Sequence, residues 1–453
     1  MTMTANSLFD WTIYRNMFAS PAMQAAFDER GTIMRWLDVE MAVARAQSNL
    51  GIIPADAAAE ICDRISADSI DMERLRLDTL EVGRPIVGLI RQLAEQVGDP
   101  HGVWVHYGVT TYDVMDTGKI LQVRDGLNEI HTLMSQYGAA LAELADKHRD
   151  TVMIGRTNNL HAQPTTFGAR LAVWIEELRR HEERLREAEK RVLVAQFGGS
   201  VGTLASMQPK GLEFREAVAA ELGLGMIQSN WHNARDSVTE VALCLGNLCA
   251  SLARNAQNLN SLGSTEIGEV SEAGVRGRGR SSSMPHKRNP RAAEFAEAVA
   301  RLGRQRSMGM AEVMGQEHDR CGGTWIAEWM LVPETFLLTS GALSWGIDLL
   351  GRLEVHEDRM RQNIEMTNGL TLTERFTLEL AQRMSKFEAR RLLDQACALS
   401  AESGTSLADA LTALPDVTAV MSAEEIATLS APETYVGSAP EIVDRVLDAA
   451  RKK

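Results

Sequence analysis

The chain has 453 residues, 45% hydrophobic and 24% charged, with a formal net charge of −14. That length exceeds the roughly 250–300 residues one core organises, so two or three domains are expected. The acidic balance excludes proteins that work by neutralising phosphates or anionic lipid, so neither a nucleic-acid nor a membrane partner is expected, and an anionic ligand needs a local basic site. Aromatics at 5% and 21 Met lean away from an all-β sandwich and toward helix. Cys62, Cys244, Cys249, Cys321 and Cys397 are odd in number and contain no CxxC pair, which fits a reducing cytoplasm.

The chain opens MTMTANSLFDW, without a basic and apolar leader, again consistent with a cytoplasmic location. Apolar residues recur at helical spacing from Gly31 to Leu50, and Gly51 with Pro54 supplies the stop. Shorter helices lead to a break at Gly98-Asp99-Pro100-His101-Gly102, and an N-terminal helical domain is placed at 1–104. Three long periodic segments follow, about Thr111–Arg149, Thr166–Gln196 and Asp236–Leu262, with lengths suited to a bundle. The third is apolar around much of its circumference, so cover by further helices or other subunits is expected. Gly268 to Pro290 reads as a loop, and Arg291–Gly315 as another long helix. The apolar stretch Trp329–Leu350 is broken by Pro333 and Glu334 and does not read as a membrane span. The bundle domain is placed at 105–354 and a C-terminal helical domain at 355–453, giving an all-α fold.

The sharpest chemical feature is Ser281-Ser282-Ser283-Met284-Pro285-His286-Lys287-Arg288-Asn289-Pro290. Two prolines bracket a cationic run and fix Lys287 and Asn289 just ahead of a helix start, whose free N–H groups favour a carboxylate. The glycine-rich segment before it can deliver a serine onto a ligand. Composition alone equally fits a serine-rich connector that caps a helix. Arg276, Arg278 and Arg280 make the loop basic, either as a grip on a second acidic group or as solvated surface. No HExxH or His/Cys spacing is present, and no metal is expected.

The string SSSMPHKRNP resembles the signature GSSxMPxKxNP of the fumarase/aspartase superfamily. Gly108-Val109-Thr110-Thr111-Tyr112-Asp113-Val114-Met115-Asp116-Thr117 is similar to its GxTSxDxxDT block, and Gly155 to Pro164 (GRTNNLHAQP) to its GRTHxQxAxP block. Within the superfamily the chain looks most like the 3-carboxy-cis,cis-muconate cycloisomerase branch, then adenylosuccinate lyase. Val105-His106-Tyr107-Gly108, Gln196-Phe197-Gly198-Gly199, Trp231-His232-Asn233-Ala234-Arg235-Asp236, Thr265 to Val270 (TEIGEV) and Gln316-Glu317-His318-Asp319-Arg320 carry that likeness. The resemblance implies three helical domains, a central bundle that forms the core of a homotetramer, and active sites built from three subunits.

It also implies cofactor-independent addition or elimination at a small polycarboxylate through an aci-carboxylate intermediate. Such an intermediate needs cations and donors where its charge develops. By analogy Ser281 moves the proton, Lys287 and Asn289 hold the activated carboxylate, and Thr110 and Thr111 bind carboxylate oxygens. His106 and His161 are the further catalytic candidates, and Arg156, Asn158, Arg235, Arg280 and His318 the further substrate-binding ones. Two departures stand out. Asn158 replaces the block's histidine and cannot shuttle a proton, and Arg280 replaces the glycine before the signature serines. The branch implies internal lactonisation of a carboxylated muconate. The alternatives are a C–N lyase releasing fumarate from an N-substituted aspartate and a catalytically silent protein of the same fold.

Overall fold

In a computed structural model, which describes residues 7–274, 278–281 and 283–451, the long helices form where local caps and periodic apolar faces coincide. Arg276 and Ser282 lie outside the described residues. The Asp28 carboxylate accepts from the Gly31 amide at 2.6 Å and starts the Glu29–Asn49 helix, which buries Ile33, Leu37 and Val43 on one face. Five more long helices follow: Thr111–Lys147, Phe167–Val192, Asp236–Leu262, Arg291–Val313 and Gly322–Gly351. The fold is all-α, with two small antiparallel sheets, Val152–Thr157 with Leu160–Thr166 and Val270–Glu272 with Leu353–Val355.

One expectation needs revision. The apolar stretch broken in sequence by Pro333 lies within one 30-residue helix, Gly322–Gly351, so packing outweighs the lost hydrogen bond of an interior proline. The Gly155–Pro164 block, given no secondary structure from the sequence, forms a β-hairpin whose two-residue turn, Asn158-Asn159, has φ of 51° and 66°. A turn with both central residues left-handed favours Asn, which is the local reason for asparagine there. Beside it, Gly155 sits where the strand register shifts, and a Cβ would lie 2.8 Å from the Gln163 carbonyl. Of the two covers expected for the Asp236–Leu262 helix, further helices of the same chain supply it. Val238, Val241, Leu245, Leu248, Leu252 and Leu259 are all buried within the single chain, each worth about 1.5–3 kcal/mol.

The chain packs as two compact units. The first comprises Met1–Met134, His181–Ala253 and Ala296–Ser344, the second Ser135–Arg180, Arg254–Phe295 and Trp345–Lys453. The second unit contains a separate core in the C-terminal region, built around Leu372, Phe376, Leu392, Leu411 and Ile426. No helix among the described residues is long and apolar enough to cross a membrane.

Candidate active site

In the first unit, Asp113 organises the turn that carries Thr110 and Thr111. Its carboxylate accepts from the Thr110 amide at 3.0 Å, closing the helix start, and from the Gly198 and Gly199 amides at 2.9 and 3.1 Å. The Gln196-Phe197-Gly198-Gly199 block thus works as a framework segment, and at Gly198 a Cβ would lie 3.0 Å from the Gly202 Cα. The Arg320 guanidinium donates to the Thr110 hydroxyl at 3.1 Å and lies 5.0 Å from the centre of the Tyr112 ring. It forms no ion pair among the described residues, so a free cation stands beside the expected carboxylate-binding threonine.

His106, held in the left-handed region at φ 58°, shares a 2.6 Å hydrogen bond through Nδ1 with the buried Glu40 carboxylate. Burial lowers the imidazole pKa, but the charge and hydrogen bond of Glu40, aided by Asp113, outweigh it and leave the pKa above the ordinary value. Glu40 carries no motif signal. Its place within the apolar periodicity of the first long helix is the only sequence feature that marks it.

Arg235, expected to bind substrate, is engaged inside the chain. Its side chain is fully buried and donates four hydrogen bonds, two to Asp116 and two to Glu328. Lys119 bridges the same two carboxylates at 3.2 and 2.9 Å, and Trp325 and Gln316 donate to them. Burial alone would raise the Asp116 carboxyl, yet Arg235 and Lys119 hold it far below the usual range. Two cations against two carboxylates make a neutral internal network that occupies the Arg235 guanidinium. His318 is exposed and left-handed, and its carbonyl accepts from Asn233, so its backbone frames the turn.

In the second unit, the hairpin carries Arg156 and His161 into the wall of a cavity of 1040 Å³ lined also by Arg170, Trp174, Asn258 and Glu374. Arg156 is held by a bidentate pair with buried Glu269 at 2.7 and 2.9 Å, and Asn363 donates to the same carboxylate at 2.8 Å. Burial and then the charge of Arg156 lower the His161 pKa, so its imidazole is neutral near pH 7. Asn158 lies exposed at the hairpin tip and does not line this cavity.

The signature loop closes on itself. Arg280 and Arg288 form a bridge, the Ser281 amide donates to the Lys287 carbonyl at 3.3 Å, and the Asn289 amide and side chain both donate to the Gly279 carbonyl. The Ser281 hydroxyl oxygen accepts from the Met284 amide at 3.1 Å and the Ser283 amide at 3.4 Å. Two donors on one oxygen favour its deprotonated form. The free helix start expected after Pro290 is already occupied, because Glu272 accepts from the Ala292 and Ala293 amides at 3.1 and 2.9 Å. Arg278 is likewise engaged, paired with Asp348 at 2.8 Å over the Trp345 ring, whereas Arg280 and Lys287 are exposed. Among the described residues no cluster of three or more His, Cys, Asp or Glu side chains is arranged to hold a metal.

A helical bundle carrying a serine-lysine-asparagine loop, a threonine-bearing helix start and a basic hairpin defines a lyase of the fumarase/aspartase type. The chain belongs to the lyase family: the family model "Lyase" matches residues 15–302, and "Adenylosuccinate lyase C-terminus" matches 369–446. It is 38% identical over 450 residues to the 3-carboxy-cis,cis-muconate cycloisomerase of Pseudomonas aeruginosa, covering 98% of this chain and 96% of that one. It is 35% identical to the N-acetyl-S-(2-succino)cysteine lyase of Dickeya dadantii, covering 98% and 97%. The crystal structure of the 3-carboxy-cis,cis-muconate lactonizing enzyme from Pseudomonas putida superposes with a TM-score of 0.91 at 36% identity, covering 96% of this chain and 98% of that one. The chain is therefore an enzyme of the fumarate lyase superfamily, with muconate cycloisomerases among its relatives.

Proposed function

We propose that the chain catalyses cofactor-independent lactonisation of a 3-carboxy-cis,cis-muconate-like polycarboxylate, with Ser281 moving the proton. The observation that carries this reading is the Ser281 oxygen held by two backbone amides in a loop that also presents Lys287. In ring closure a substrate carboxylate oxygen bonds to one end of a C=C bond. The π electrons pass to the carbon bearing another carboxylate, forming the aci-carboxylate, and that carbon takes the Ser281 proton. The resulting alkoxide is stabilised by the Ser283 and Met284 amides and regains a proton from water. Lys287, Asn289, Thr110 and Thr111 hold the charged carboxylates, and His106 and His161 are the remaining groups able to carry a proton.

In this reading residues 105–354 carry the chemistry, residues 1–104 and 355–453 frame it, and the cytoplasmic enzyme assembles as a homotetramer with shared sites. Support for assembly comes from exposed Leu302, Met308, Ile326 and Met330 on two bundle helices. A second reading, elimination of fumarate from a substituted succinate or aspartate, is favoured by the 35% identity to a succinocysteine lyase. Ultraviolet absorbance separates the two, since lactonisation removes a conjugated diene and elimination creates a fumarate band. Ser281→Ala should keep the fold and lower kcat by about 10²–10⁴-fold, and retention of more than about a tenth of the rate contradicts the assignment.

A further inference from the structure

Of the two arginines lining the hairpin cavity, Arg170 is the one with no ion pair among the described residues. It sits in the first turn of the Phe167–Val192 helix, half-buried in the cavity wall, and has no hydrogen-bond or ion-pair partner among the described residues. On balance that position disfavours a cation, with only Glu269 acting the other way. Burial removes water from the guanidinium, the N-terminal end of a helix is partly positive, and Arg156 adds a like charge. The nearby carboxylates give it no hydrogen bond or ion pair, and the field of Glu269 offsets only part of the penalty. Glu269 is engaged by Arg156 and Asn363, and Glu374 accepts from Gln163 and from the Tyr435 hydroxyl. A positive group kept in such a place is a binding site awaiting an anion, and a planar guanidinium matches a carboxylate with two parallel hydrogen bonds.

We propose that Arg170 binds a substrate carboxylate remote from the reacting carbon and so selects tricarboxylates over dicarboxylates. This rests on the polycarboxylate reading above. It places a grip on the additional acid group in the cavity, where the loop's Arg278 cannot serve because it is already paired with Asp348. The volume of 1040 Å³ accommodates a small tricarboxylate with its water, and Trp174 and Asn258 are part of the wall.

The test uses the full chain, as wild type, Arg170→Met and Arg170→Lys, titrated calorimetrically with tricarballylate and with glutarate, two inert acids of three and two carboxylates. Arg170→Met should weaken tricarballylate binding about ten- to a hundred-fold, as expected for losing a charged hydrogen bond, and leave glutarate binding unchanged. Arg170→Lys should fall between, retaining the charge without the fork. Equal losses for both acids overturn the proposal, as does wild type that binds no tricarballylate. Unchanged binding with weaker assembly by light scattering also overturns it, because the arginine then meets a carboxylate of another chain. Arg170-dependent binding without turnover of any muconate leaves this site standing and removes the lactonisation reading. Turnover of carboxymuconate that ignores Arg170 does the reverse.

Discussion

Replacing Glu40 by glutamine should reverse the pH dependence that His106 imposes on stability. The wild-type pair joins a buried carboxylate to an imidazole at 2.6 Å, and the His106 pKa lies above its unfolded value of 6.5. A group raised on folding stabilises the fold fully below its unfolded pKa, and that contribution fades as pH rises through the folded value. The Glu40→Gln side chain keeps an acceptor for Nδ1 but removes the charge. A charged hydrogen bond is worth about 1.5–3 kcal/mol and a neutral one about 0.5–1.5, so the loss is about 1–1.5 kcal/mol near pH 5.5. Burial then dominates, with only Asp113 still raising the pKa, and His106 falls below the unfolded value. Its contribution thereafter grows with pH. Urea unfolding of both proteins from pH about 5 to 8 reads the His106–Glu40 pair, since groups away from the pair cancel in the difference. The wild-type advantage should be largest at the acid end and shrink toward pH 8. A difference that is flat across the range would refute the ion pair, and with it the reason for regarding His106 as charged at the candidate site.

Arg235→Met should destabilise the chain by about 3–5 kcal/mol, because it leaves Asp116 and Glu328 buried without their main counter-charge. An Arg235→Met protein with a wild-type unfolding midpoint and a raised KM would restore Arg235 to the substrate. Light scattering at micromolar concentration should give the mass of four 49.8 kDa chains, and a stable, active monomer would refute the shared-site assembly.

Features set by near neighbours are legible in the sequence. The Asp236–Leu262 helix has the bounds its apolar period predicts, since that period is a local property, and the Arg291 start follows from Pro290. The three blocks announce the superfamily, and the family matches agree. The hairpin escapes a reading that sets Asn158-Asn159 against a missing histidine instead of against a turn needing two left-handed residues. Pro333 counts for less as a breaker than its local chemistry suggests, because packing holds the helix through it.

Which charges are free is decided only by tertiary structure. Arg235 meets Asp116 across 119 residues and Arg156 meets Glu269 across 113, and each looks in sequence like any other arginine in a family-like block. Glu272 closes a helix start that composition leaves open, and Arg170 carries no motif at all. Neutralisation of a charge depends on distance in space and on the water excluded around it, and a linear pattern encodes neither.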